Sequence, residues 1–159
     1  WGNIISGLIP TSSKLKLVRV VDANPTLAES IGKQRGVPYS TRLEDTFTDP
    51  NVQGVVLCTP HTLHCDQIQA VARAGKHVFC DKPMATTPAD AERMVRECEK
   101  GGVKLGINFH NRFMPGFIET RRIIASGEIG DLQMVQFEAS PGARSGRHNI
   151  YAHPERITH

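Results

Sequence analysis

The chain lacks a dominant charge, aromatic density, a cysteine framework and any long apolar run, and each shortage removes a class of function. Its 19 Lys+Arg stand against 16 Asp+Glu, a net charge of +3. That balance gives no electrostatic footprint for nucleic acid. Aromatic residues make up 6% of the 159 and do not interleave with basic ones, so no nucleic-acid partner is expected. No apolar run approaches the ~18 residues of a membrane span, and no membrane partner is expected. The four cysteines, Cys58, Cys65, Cys80 and Cys98, form no Cys-x-x-Cys pair, and Cys58 and Cys80 sit in apolar runs. They read as buried, reduced thiols of a cytoplasmic protein. His61, His64 and Cys65 are neighbours, but no second ligand pair has zinc-like spacing, so no metal is expected. No internal repeat of fixed period is present.

What is present is an ordinary globular balance, 39% apolar and 22% charged. A domain of this size hides roughly two thirds of its unfolded-chain surface. Short apolar runs alternate with helical stretches. Strands are expected at 15–21, 37–40, 54–59, 76–80 and 103–109. The run at 54–59 is dense enough for a strand in a sheet covered on both faces. Asn24-Pro25 opens a helix, Asn as cap and Pro at the first helical position, and Gly36 ends it. A short helix spans 42–47. The helix at 63–74 carries Leu63, Ile68, Val71 and Ala72 on roughly one face, and Gly75 ends it. Thr87-Pro88-Ala89-Asp90 reads as cap, first-turn Pro and first-turn acid. The helix it opens turns Ala91, Met94, Val95 and Cys98 toward a core and stops at Gly101. Strand–helix alternation predicts βαβ units and a parallel, doubly wound α/β sheet. After Arg112 the pattern changes, to a helix at 117–125 and a half-exposed, alternating strand at 132–140 of antiparallel type. From Pro141 onward an irregular loop is expected.

At the front, Gly2 precedes an apolar helical stretch, a strand and then Asp22. An acid roughly 20 positions beyond a glycine turn, at the tip of the second strand, is the dinucleotide fingerprint. A carboxylate there accepts hydrogen bonds from the adenosine ribose hydroxyls and repels a 2′-phosphate, which favours NAD over NADP. The competing reading of Asp22 is a turn residue before Asn24-Pro25. Gly2 fits only the third glycine of the Gly-x-Gly-x-x-Gly run, and no strand precedes it. In the sheet order 3-2-1-4-5-6 the first strand is central. The natural protein is therefore expected to begin upstream of Trp1, by roughly ten residues.

In the middle, Thr59-Pro60-His61-Thr62-Leu63-His64 follows one strand and Asp81-Lys82-Pro83 the next. Ligands of open parallel sheets bind outside the carboxyl ends of strands, so both segments lie at the expected cofactor edge. A partly desolvated lysine beside a cationic nicotinamide acts as proton acceptor for an alcohol, which makes Lys82 the candidate base. Asp81 is a candidate to hold the nicotinamide ribose. Pro83 fixes the turn and is a candidate for a preceding cis bond. The plain alternative for Lys82 is a solvated loop lysine.

The ordered set Asp22, Thr59-Pro60…His64, Gly75-Lys76-His77-Val78, Asp81-Lys82-Pro83, Asn111-Arg112-Phe113-x-Pro115 and Ser126-Gly127-Glu128-Ile129-Gly130 resembles the Gfo/Idh/MocA oxidoreductase family, across nearly all of residues 1–140. The resemblance implies a Rossmann NAD(P) domain over residues 1–110, lacking its first strand. It also implies the beginning of a carboxyl-terminal α/β substrate domain over 111–159. It implies hydride transfer at a carbinol carbon of a sugar, polyol or related substrate. In its terms Lys82 matches the active-site lysine and Asp81 the usual Glu. Thr59, Pro60 and His64 match the segment beside the cofactor, and Arg112 an arginine near the nicotinamide end. Relatives often pair through the second sheet, so the resemblance implies a homo-oligomer at full length.

Three departures accompany the match. Asp81 is one methylene shorter than Glu, His110 stands where relatives often carry Asn, and Pro141–His159 contains no Gly-Gly followed by Asp-x-x-x-His. Some relatives keep NAD tightly bound and use transient oxidation to drive glycoside hydrolysis, and these residues leave that alternative open. A third possibility is a non-catalytic dinucleotide-binding protein. Without the phosphate-cradling glycines and most of a substrate pocket, the 159 residues by themselves are expected neither to hold NAD tightly nor to turn over.

Overall fold

A computed structural model describes residues 1–136. The chain divides into two compact units, Trp1–Asn108 and Phe109–His159.

In the first unit, helix α1 (Gly2–Leu8) is followed by strand β1 (Val20–Val21), helix α2 (Pro25–Arg35) and strand β2 (Tyr39–Ser40). Strand β3 (Gly54–Leu57), helix α3 (His64–Arg73), strand β4 (His77–Cys80), helix α4 (Pro88–Lys100) and strand β5 (Leu105–Ile107) complete it. All pairing is parallel. β1 pairs with β2, and β3, β4 and β5 form a second ladder with Leu57 opposite Cys80 and Cys80 opposite Ile107. The architecture is α/β, as the alternating pattern requires. All five expected strands are shorter than their apolar runs, most of all 15–21, which pairs only at Val20–Val21, 37–40, only at Tyr39–Ser40, and 103–109, only at Leu105–Ile107. Pairing is long-range, so a run acquires strand geometry only where a neighbour supplies its hydrogen-bond partners.

The helices start and stop where their caps dictate. The Asn24 side chain accepts from the amides of Thr26 and Leu27, Pro25 occupies the first helical position, and Gly36 ends α2 in the left-handed region at φ +66°. A side chain at Gly36 would strain that exit. Gly32 is required by packing instead: a Cβ there would come within 2.7 Å of Tyr39 side-chain atoms. Arg35, in the last turn of α2, donates to the carbonyl and side-chain oxygens of Asn3 and to Ser6 Oγ, fastening α1 to α2. Arg19 Nη2 to Asp49 Oδ2, at 3.4 Å, ties the segment before β1 to the loop before β3.

One core joins β3 and β4 to α3 and α4: Leu57, Cys65, Ile68, Val71, Ala72, Val78, Cys80, Met94 and Cys98. Two expected core positions are corrected. Leu63 and Val95 are 44% and 41% exposed, while His64 and Cys65 are buried. The α3 stripe runs His64, Ile68, Val71/Ala72, and the α4 stripe runs Met94, Cys98, each at a four-residue step. One residue of offset rotates a side chain by about 100° off such a stripe. The sheet is also less enclosed than its apolar strands suggest. Val56 and Phe79 are 39% and 41% exposed, because α3 and α4 pack on the face opposite to them.

In the second unit a single helical turn at His110–Phe113 leads into α5 (Pro115–Ser126), which ends at Gly127 with φ +75°. Residues 132–136 of the expected strand have no regular structure. Its remainder, 137–140, and the expected loop from Pro141 lie outside the described residues.

The core assignment sets a measurable contrast. Met94→Ala is expected to destabilise the chain by ~2–5 kcal/mol, and Val95→Ala by less than roughly 0.5 kcal/mol, read by chemical denaturation. Equal effects would contradict the α4 stripe.

Candidate functional site

In a parallel ladder every strand delivers its carboxyl end to the same edge. Thr59 follows β3, Asp81 follows β4 and Asn108 follows β5, so the three turns leave the second ladder side by side. Asp81 N–H donates to the Leu57 carbonyl (2.8 Å) and Asn108 N–H to the Cys80 carbonyl (2.8 Å), which carries the ladder one residue past each strand. Asn108 Nδ2 then donates to Asp81 Oδ1 at 3.2 Å. This amide orients the Asp81 carboxylate, and sequence reasoning missed it. Its signal was available: a polar residue directly after an apolar strand, at the position equivalent to Asp81.

The Thr59–Pro60 turn is gripped by the first turns of α3. Thr59 Oγ1 donates to Gln67 Oε1 at 2.5 Å, and the Thr59 carbonyl lies 3.0 Å from His64 Nε2. His64 Nδ1 lies 3.0 Å from the Pro83 carbonyl, so this one side chain spans the turns after β3 and β4. The Lys82–Pro83 bond is cis. Lys82 itself is exposed. His64, expected beside a cofactor, is fully enclosed, and both its ring nitrogens face backbone. It supports the rim from beneath.

Electrostatics follow the same geometry. Burial holds the His61 imidazole below its ordinary range, assisted by the charges of His64 and Lys82 and opposed by Asp81. The ring of His61 meets that of His64 edge-on at 5.7 Å. Burial, then the Asp81 carboxylate, raises the Cys58 thiol. The same causes, with Cys58 beside it, push Cys80 up to about 12.

The remaining expected residues lie further along. A Cβ on Gly2 would sit 3.7 Å from Cys58 Cβ, an ordinary contact, which puts the start of α1 beside the end of β3. Asp22 ends β1 in the other ladder, its N–H donating to the Ser40 carbonyl (3.2 Å). Its Oδ1 accepts from Asn24 N–H at 2.9 Å, so the turn reading of Asp22 is realised. No hydrogen bond or ion pair joins it to Asp81 or Lys82 among the described residues. Arg112 belongs to the second unit, exposed on the His110–Phe113 turn, with its guanidinium 5.9 Å from the Phe113 ring centre. The structure thus brings together Thr59, Pro60, His64, Asp81 and Lys82, with Gly2 next to them. Among the described residues no group of three His, Cys, Asp or Glu converges to hold a metal ion, and no helix is long and apolar enough to cross a membrane.

A parallel α/β layer with polar groups along the carboxyl ends of its strands is the arrangement in which open α/β sheets bind ligands. Residues 5–109 match the oxidoreductase family with an NAD-binding Rossmann fold, and the chain belongs to this family, Gfo/Idh/MocA. It is similar to inositol 2-dehydrogenase of Rhizobium meliloti, 37% identical over 84% of this chain and 40% of the relative. It is also similar to 1,5-anhydro-D-fructose reductase of Ensifer adhaerens, 34% identical over 82% and 42%. Among solved structures, it resembles the WlbA dehydrogenase of Bordetella pertussis in complex with NADH and UDP-GlcNAcA, with TM-score 0.74 and 34% identity, over 78% of this chain and 36% of that one. The aldose-aldose oxidoreductase of Caulobacter crescentus, complexed with glycerol, matches with TM-score 0.74 and 36% identity over 80% and 39%. The chain spans about 40% of the length of the curated relatives it matches.

The thiols give a direct check of this rim. Folding keeps the proton on Cys80 between 9.0 and about 12, so its contribution to stability is full below 9.0 and is lost as pH rises toward about 12. Iodoacetamide at pH about 8.5, the ordinary thiol range, should leave Cys80 unmodified in the folded chain and alkylate it in denaturant. Equal labelling rates in the two states would contradict the assignment.

Proposed function

We propose that this chain is the coenzyme-binding part of an NAD-dependent oxidoreductase that transfers hydride between nicotinamide and a carbinol carbon of a sugar, polyol or related compound. The observation that carries this is the Asp81–Lys82 pair at the carboxyl end of β4, fixed to the Thr59 turn in a chain of this family. The donor set fits the coenzyme: two carboxylates at strand ends accept from ribose hydroxyls, and the amine between the turns is free to meet a substrate hydroxyl. Asp22 holds the adenosine ribose and disfavours a 2′-phosphate, hence NAD over NADP. Asp81, oriented by Asn108, holds the other ribose. Gly2, Thr59 and Pro60 line the approach, His64 supports it, and Arg112 serves the nicotinamide end.

Bound NAD supplies the hydride acceptor. Lys82 takes the hydroxyl proton as the carbinol C–H bond breaks and the C=O bond forms, and returns it in the reverse direction. Residues 1–110 form the coenzyme domain, and 111–159 open the substrate domain. The family and the free Cys65, Cys80 and Cys98 thiols support a cytoplasmic protein, and the family alone supports a homo-oligomer at full length.

The test is NADH formation from NAD and a polyol by the full-length protein and its Lys82→Met variant. Loss of the proton acceptor should lower kcat by ~10²–10⁴-fold with NAD affinity retained. Normal turnover by the variant would refute the role of Lys82. Product release without net NADH accumulation would move the reading to glycoside hydrolysis through transient oxidation.

A further inference from the structure

His64 opens α3 with none of its surface exposed. Both ring nitrogens lie 3.0 Å from backbone carbonyl oxygens, Nδ1 from Pro83 and Nε2 from Thr59. A carbonyl oxygen only accepts. A neutral imidazole has one N–H, so it satisfies one of these oxygens and aims a lone pair at the other. Only the imidazolium places a hydrogen on both lines. We propose that His64 stands as an imidazolium donating from both ring nitrogens, a positioning residue that fixes the Lys82–Pro83 turn against the Thr59–Pro60 turn.

Burial opposes the charged form, and here two charge-assisted hydrogen bonds, the stronger kind, offset that cost. The surrounding charges are compatible. His61, from the turn before α3, is pushed toward its neutral form, first by burial. Asp81 and exposed Lys82 are the charged groups on the β4 side. On α4, Asp90 and Arg93 are paired with each other beside Cys65. Thr59 is held a second time by Gln67, whereas the His64 ring links α3 to the Lys82–Pro83 turn. Removing it leaves Thr59 gripped and releases Lys82.

The protonation assignment stands on hydrogen-bond geometry; its meaning for catalysis rests on the proposed function. Two experiments keep them apart. Long-range ¹H–¹⁵N correlation of the histidine rings in the 159-residue chain, at pH about 7.5, one unit above the ordinary midpoint, should show both His64 nitrogens protonated. His77 is the internal contrast, because Lys104 N–H donates to its Nδ1 at 3.0 Å, which must be a bare nitrogen. A bare nitrogen on His64 at that pH overturns the proposal. In the full-length protein, His64→Phe should lower kcat by about 10²-fold with the KM for NAD little changed. His64→Gln, which keeps two N–H donors on one nitrogen, should recover part of the loss. Equal losses in two folded variants overturn the positioning role. A wild-type protein without NAD turnover sinks the proposed function and leaves the ring assignment to the first experiment.

Discussion

The parallel register of β3, β4 and β5 is the constraint on which the rest of the site depends. Parallel strands cannot be joined by tight turns, so each is followed by a crossover, and every crossover leaves from the same edge. Leu57 opposite Cys80 opposite Ile107 therefore fixes where Thr59, Asp81 and Asn108 emerge. The hydrogen bonds from Asp81 to Leu57 and from Asn108 to Cys80 extend this order into the turns themselves. Polar side chains that are 22 to 49 residues apart in the chain become neighbours by topology, and Asn108 then hydrogen-bonds to Asp81.

What the ladder brings near, α3 locks. Its inner face is apolar for two turns, with Ile68, Val71 and Ala72 enclosed against β3, β4 and α4. Its first turn continues the same face with a histidine. The burial that stabilises the helix thus also drives an imidazole under the rim, where it meets two carbonyls. Core and site are not separate regions here: a helix stripe becomes a polar clasp at its amino-terminal end. The turn that carries exposed Lys82 is tied to this buried ring through the Pro83 carbonyl.

Family and geometry supply different parts of the functional reading. Membership of an oxidoreductase family with an NAD-binding fold comes from the match over residues 5–109. Which atoms stand along the rim comes from the hydrogen bonds. Asp22 shows why both are needed. Locally it closes a turn through Asn24, and its contact with a ribose belongs to the proposed function. Asp81 is held by Asn108 at 3.2 Å, which gives the shorter carboxylate a fixed orientation in spite of its missing methylene.

Local chemistry was legible in the sequence. Asn24-Pro25 and Thr87-Pro88 start helices because their oxygens cap free amides within three residues, and Gly36 ends one because left-handed backbone suits it. The strand–helix alternation gave the α/β class, and the motif order gave the family and the strand-end positions of Asp81 and Lys82. The extent of β1 and β5, the exposure of Leu63, Val95, Val56 and Phe79, and the enclosure of His64 were decided by tertiary structure. Strand length and burial depend on which distant segment arrives, and a polar residue at a four-residue step looks in sequence like a break in the stripe. Asn108 against Asp81, and His64 between Thr59 and Pro83, exist only once three strands stand in register, because hydrogen bonding requires a partner within about 3 Å and nothing local supplies it.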